Sequence, residues 1–129
     1  MTNLELEELA IQLNIPAVGV ASWPLPAEAS LHLDTPYPCP FTNGSIEERL
    51  QGSTTIASPK SAIVCLFPYY MPREGVTNLA RYCWGDDYHV VVRQYLERLG
   101  DILRERYPDE IYEIHCDTSP LADRYMAYL

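Results

Sequence analysis

Two short segments hold most of the chain's chemically capable side chains. The first is Ala80-Arg81-Tyr82-Cys83-Trp84-Gly85-Asp86-Asp87-Tyr88-His89. Rings stack on flat ligands, while Arg and His reach amide or phosphate groups, so this mixture suits a large ligand with polar edges. The second is Asp117-Thr118-Ser119-Pro120-Leu121-Ala122-Asp123-Arg124. Asp117, Thr118 and Ser119 can each cap a helix, yet one cap suffices, which leaves Asp117 available for proton transfer. Arg124 follows within two helical turns and can grip a carboxylate or phosphate through two parallel hydrogen bonds. Each segment also has a plain structural reading. In it, Asp86 or Asp87 only caps a helix whose core face starts at Tyr88, and Asp123 and Arg124 pair on the surface beside a turn at Asp117.

The elements that must position these groups are legible in part. Residues 2–13 read as a helix, capped by Thr2 or Asn3, with Leu6, Leu9, Ala10 and Leu13 on one face. Ala17 to Ala21 is a short buried strand. Residues 23–44 contain five prolines and read as an ordered surface loop, pinned to a core by Trp23, Leu25, Leu31, Tyr37 and Phe41. Ser45 with Glu48 three residues on is a capping box for a short helix. The continuous apolar run Ala62–Phe67 predicts a strand covered on both faces. Over 86–106, Tyr88, Val92, Tyr95, Leu99 and Ile102 recur at helical spacing, and Tyr107-Pro108 ends the helix. Ile111–Cys116 is expected as a further strand, putting Asp117 at its carboxyl end. A last helix is expected from Ser119 as cap and Pro120 as first residue. The order predicts one α/β (α+β) domain spanning 1–129, a small mixed sheet flanked by helices in a three-layer-like arrangement.

Composition excludes several classes. The chain has 129 residues, with 18 acidic against 9 basic side chains, for a net charge of −9. Phosphate backbones are held by Lys and Arg, so charge alone gives this chain no grip on nucleic acid. No apolar run is long enough to span a membrane, and the acidic, amphipathic start is unlike a signal peptide. A cytoplasmic protein is expected. Cys39, Cys65, Cys83 and Cys116 lie 26, 18 and 33 residues apart, without the C-x-x-C spacing of zinc or iron–sulfur sites. They are expected to be reduced packing residues, and no metal ligand set is read. No phosphate-binding glycine loop, nucleophile elbow or zincin motif occurs.

The two segments, with a third at Pro59-Lys60-Ser61-Ala62-Ile63-Val64 and Phe67-Pro68-Tyr69, resemble the epoxyqueuosine reductases, cobalamin- and iron–sulfur-dependent enzymes of tRNA queuosine synthesis. The matching family patterns are a Lys-Ser-hydrophobic strand, an R-Y-x-W-G-x-D-Y-H loop and a V-D-T-x-x-x-x-D-R segment. Pro40-Phe41 with Ile46-Glu47-Glu48-Arg49 is similar to a fourth family segment, whose Arg approaches the cofactor. The resemblance covers the N-terminal, DUF1730-type part of the family. It implies a cobalamin-binding domain related in fold to the reductive dehalogenases, with the Asp matching Asp117 protonating the epoxide oxygen. Arg49, Ala80, Arg81, Tyr82, Trp84, His89 and Arg124 would then line the cofactor or substrate pocket.

The family continues into a glycine-rich stretch, the cysteines of two [4Fe-4S] clusters and usually a helical-repeat region. This chain has no counterpart of them. Together with the apolar, uncapped end Leu121, Tyr125, Met126, Tyr128 and Leu129, this leads to the expectation of a truncated module, inactive alone and without the tRNA surface. The contrasting expectations are a free-standing, non-catalytic interaction domain that pairs as a homodimer through its C-terminal helix, and a module of another corrinoid or iron–sulfur reductase.

Overall fold

The structure is a computed structural model in which residues 1–34, 44–51, 55–70, 75, 78–80, 83, 85–117 and 121–129 are described. Helix α1 (Asn3–Gln12) opens on a complete capping box, with Thr2 as N-cap and Glu5 returning its carboxylate to the Thr2 backbone N–H at 2.6 Å. Strand β1 (Ala17–Ser22) follows, then the short helices α2 (Ala29–Leu33) and α3 (Ile46–Gln51). The capping box expected at α3 is present, with Glu48 Oε2 accepting from the Ser45 N–H and Ser45 Oγ from the Glu48 N–H. Strand β2 (Ser61–Leu66), the long helix α4 (Tyr88–Arg106) and helix α5 (Asp123–Tyr128) complete the order.

Strands β1 and β2 pair antiparallel, from Ala17 opposite Leu66 to Ser22 opposite Ser61. Successive strand residues point to opposite faces, and the packing follows that rule. Ile63 and Cys65 join a cluster centred on Leu6, Leu9, Ala10, Ile15, Leu99 and Leu103, drawn from α1, α4 and the turn before β1. Ala62 and Val64 face a second cluster of Ala21, Leu25, Ala29, Ala122 and Met126. Strand β2 is therefore packed on both faces, as its unbroken apolar run predicts, and the helices form layers on either side of the two strands.

Four expectations need correction. Ile111–Cys116 belongs to no strand; among the described residues the sheet is two-stranded and purely antiparallel rather than mixed. Tyr112 and Ile114 turn to α4 instead. Tyr112 donates to the Leu103 carbonyl at 3.4 Å, and Ile114 lies over Gly100, where a β-carbon would stand 3.5 Å from its Cδ1. The last helix begins at Asp123, after Ala122, which makes no side-chain cap bond; Ser119 and Pro120 lie outside the described residues. The stretch after Trp23 contains α2. Leu25 anchors it, whereas Leu31 is 75% exposed and pins nothing; Tyr37 and Phe41 lie outside the described residues. Finally, Cys83 is exposed rather than packed. Cys65 does behave as a packing residue, since burial pushes its thiol up to about 11. Cys39 lies outside the described residues.

Among the described residues no helix is long and apolar enough to cross a membrane. Helix α5 docks through Ala122 and Met126 and leaves Tyr128 and Leu129 exposed.

Candidate functional site

Helix α4 brings the two reactive segments together. Its N-cap is Asp87, not Asp86, and Oδ1 of that side chain accepts the His89 backbone N–H at 2.9 Å. The same oxygen lies 2.8 Å from His89 Nδ1. A single carboxylate therefore starts the helix and orients the imidazole. These two bonds to His89, side chain first and backbone second, hold the Asp87 carboxyl below its ordinary range.

Asp117 meets this helix start across 29 residues of sequence. The Tyr88 hydroxyl donates to Asp117 Oδ2 at 2.5 Å, and His89 Nε2 stands 3.8 Å from the same oxygen. The Tyr88 and His89 rings stack, with centroids 4.0 Å apart and planes 29° from parallel. Asp117 has a left-handed backbone with φ +58°. Few side chains tolerate that region, and Asp is one that does. With its side chain 57% exposed, the carboxyl is held from one side and open on the other. Burial, and then the charge of Asp117, push the neighbouring Cys116 thiol up.

This arrangement gathers groups whose chemistry is proton exchange. Asp117 is an open carboxyl with one oxygen fixed by a phenol and an imidazole nearby, itself fixed by a second carboxylate. Tyr88, assigned by periodicity to the core face, is a half-buried member of this cluster. Sequence reasoning did not assign that role to Tyr88, nor to Asp87 the orientation of His89. For Asp87 a signal existed: an N-cap Asp two residues before a His can reach both its N–H and its Nδ1.

The other predicted site residues are not drawn in. Arg49 is half-buried on α3, Ala80 is exposed, and Arg124 is exposed on α5. Among the described residues, neither guanidinium forms an ion pair, and Asp123 accepts the Arg124 backbone N–H rather than its side chain. Arg81, Tyr82 and Trp84 lie outside the described residues. An open cavity of about 600 Å³ lies elsewhere, lined by Trp23, Leu25, Leu50, Ile56 and Pro59 among others. None of Asp87, Tyr88, His89 or Asp117 lines it, so volume and chemistry part company here, and the convergent polar groups are the better guide to function. No cluster of three His, Cys, Asp or Glu side chains suited to a metal ion occurs among the described residues.

Comparison with known proteins matches residues 49–118 to the model of a family described as epoxyqueuosine reductase QueG, DUF1730. That span is more than half of the chain and includes Arg49, the Ala80–His89 segment and Asp117, but not Arg124. A curated relative named epoxyqueuosine reductase from Synechococcus sp. (strain CC9605) is 44% identical over 62 residues, covering 46% of this chain and 19% of the relative. One of the same name from Bacillus subtilis (strain 168) is 33% identical over 96 residues, covering 67% of this chain and 25% of the relative. The chain thus spans about a fifth to a quarter of the length of these two relatives. No solved structure matches it.

Proposed function

The chain belongs to the epoxyqueuosine reductase QueG, DUF1730 family, and from that premise we propose that it is the N-terminal, cobalamin-facing module of a reductase that converts epoxyqueuosine in tRNA to queuosine, with Asp117 as the proton donor to the departing oxygen. The observation that carries this reading is the meeting of Tyr88, His89 and Asp117 around one open carboxyl. Removing an epoxide oxygen as water, leaving an alkene, consumes two electrons and two protons. Cobalamin, when bound, supplies the electrons that break the carbon–oxygen bonds. The part left to the protein is to hold the substrate and to protonate an oxygen that would otherwise leave as alkoxide.

The donor chemistry of the chain suits such a cofactor. A corrinoid carries amide side arms and a phosphate, which call for hydrogen-bond donors and cations rather than metal ligands. Arg49 and Arg124 offer guanidiniums without ion-pair partners among the described residues, and Ala80 is exposed. Iron–sulfur clusters do not suit it, because each needs four closely arranged thiolates and the four cysteines are widely spaced. Electron delivery therefore falls outside this chain, and we expect the 129-residue chain alone not to complete turnover.

The test is a transplant. Residues 1–129 replace the matching segment of the Bacillus subtilis relative, and the chimaera is loaded with cobalamin, reduced with titanium(III) citrate and given tRNA containing epoxyqueuosine. Formation of queuosine by the chimaera but not by the free chain, read by mass spectrometry of the nucleosides, is the expected result. A chimaera that retains corrinoid but forms no queuosine would overturn the reading.

A further inference from the structure

We propose that Asp87, His89 and Tyr88 form a proton-loading assembly for Asp117: Asp87 fixes the imidazole tautomer so that Nε2 faces Asp117 Oδ2, and the Tyr88 hydroxyl holds that same oxygen in place. The inference rests on the reading of Asp117 as an acid and assigns the groups that reload it.

The geometry dictates the tautomer. Asp87 Oδ1 already accepts the His89 backbone N–H, so it is an acceptor toward Nδ1 as well, and Nδ1 must carry the hydrogen. The hydrogen bond at one ring nitrogen sets the state of the other. In the neutral ring, Nε2 is left with a lone pair 3.8 Å from Asp117 Oδ2. A lone pair facing a carboxylate is favourable only when a proton lies between them. A helix cap alone requires only the backbone bond; the contact at Nδ1 and the stacked Tyr88 ring hold the imidazole beyond what capping needs.

Proton transfer then balances simply. Asp117 gives its carboxyl proton to the acceptor oxygen and becomes a carboxylate. The Nε2–H bond of protonated His89 breaks, and an O–H bond forms on Asp117. Solvent reprotonates His89, whose side chain is 40% exposed. The separation of 3.8 Å must shorten for this step, and catalytic hydrogen bonds are commonly long before substrate arrives. The order of groups, carboxylate to imidazole to reacting group, parallels the acid–base triads of hydrolases, with a carboxyl in place of the hydroxyl. Asp87 and Tyr88 are positioning residues in this scheme.

The test reads the chain itself, without cobalamin, by ¹⁵N NMR of its histidines near pH 9, where imidazoles are neutral. His89 is expected mainly as the Nδ1–H tautomer, the form that free histidine disfavours. Asp87→Ser keeps an oxygen for the helix cap but removes the carboxylate; the Nδ1–H form should become the minority while the helical circular dichroism is retained. His32 and His115 serve as unchanged references. In wild type the Tyr88 hydroxyl proton should be shifted downfield and slow to exchange, a signal lost in Asp117→Ala. A wild-type His89 in the Nε2–H form, a tautomer unchanged in Asp87→Ser, or a Tyr88 hydroxyl signal unchanged in Asp117→Ala would overturn the proposal. Because cobalamin is absent, such a failure leaves the assignment of Asp117 as acid untouched. Failure of the chimaera would likewise leave the tautomer result intact.

Discussion

Asp117→Asn lowers turnover of the chimaera by about 10²–10⁴-fold, the span that general acids contribute, while corrinoid retention is unchanged. The asparagine is the same size as the residue it replaces and is tolerated at the left-handed φ of +58°. Its carbonyl still accepts from the Tyr88 hydroxyl, so the local structure persists. What disappears is a transferable proton on the oxygen facing the substrate. The predicted loss corresponds to about 3–5 kcal/mol at 1.36 kcal/mol per tenfold. An exposed ion pair contributes only about 0–1 kcal/mol, so a merely structural role for Asp117 would leave the rate within about fivefold. Single-turnover rates with pre-reduced cofactor separate the two, because they exclude slow electron delivery.

Leu6→Ala destabilises the isolated chain by about 2–5 kcal/mol, the range for truncating a fully buried leucine. Leu6 is 2% exposed and lies in the cluster that joins α1 to Leu99 and Leu103 of α4. Removing its isobutyl group leaves a cavity that α4 and β2, held by their own contacts, fill only in part. Domains of this size are stable by about 5–15 kcal/mol in total, so the loss is a large share. Leu31→Ala is the control: at 75% exposed, that side chain should change stability by less than about 0.5 kcal/mol. Urea unfolding followed by circular dichroism measures both. A lower midpoint with unchanged slope for Leu6→Ala is expected, since the surface exposed on unfolding stays the same. Because α4 carries Asp87, Tyr88 and His89 at its start, this core also positions the site.

Where the signal was local, the fold was legible. Thr2 with Glu5, and Ser45 with Glu48, each name their own hydrogen-bond partner three residues away, and both capping boxes formed. The apolar run of β2 announced cover on two faces because no residue in it could face water cheaply. The segment 111–116 misled because alternation describes any half-buried extended chain. Whether such a segment joins a sheet depends on a neighbour that sequence does not reveal, and here it lies along α4. The site was legible in its residues but only partly in their roles. Asp117 and His89 stand 3.8 Å apart in the structure, but Tyr88 sits at a helical core position by spacing. Only the approach of Asp117, 29 residues on, brings its hydroxyl into the candidate site. Arg49 and Arg124 came from the resemblance, and no contact among the described residues joins them to the cluster.

The most direct measurement is a titration of the 129-residue chain with cobalamin, followed by visible absorbance, in wild type and His89→Ala. A saturable shift of the corrinoid bands in wild type, weakened by the substitution, is predicted. A corrinoid spectrum that does not change on adding wild-type protein would contradict a cobalamin-facing role.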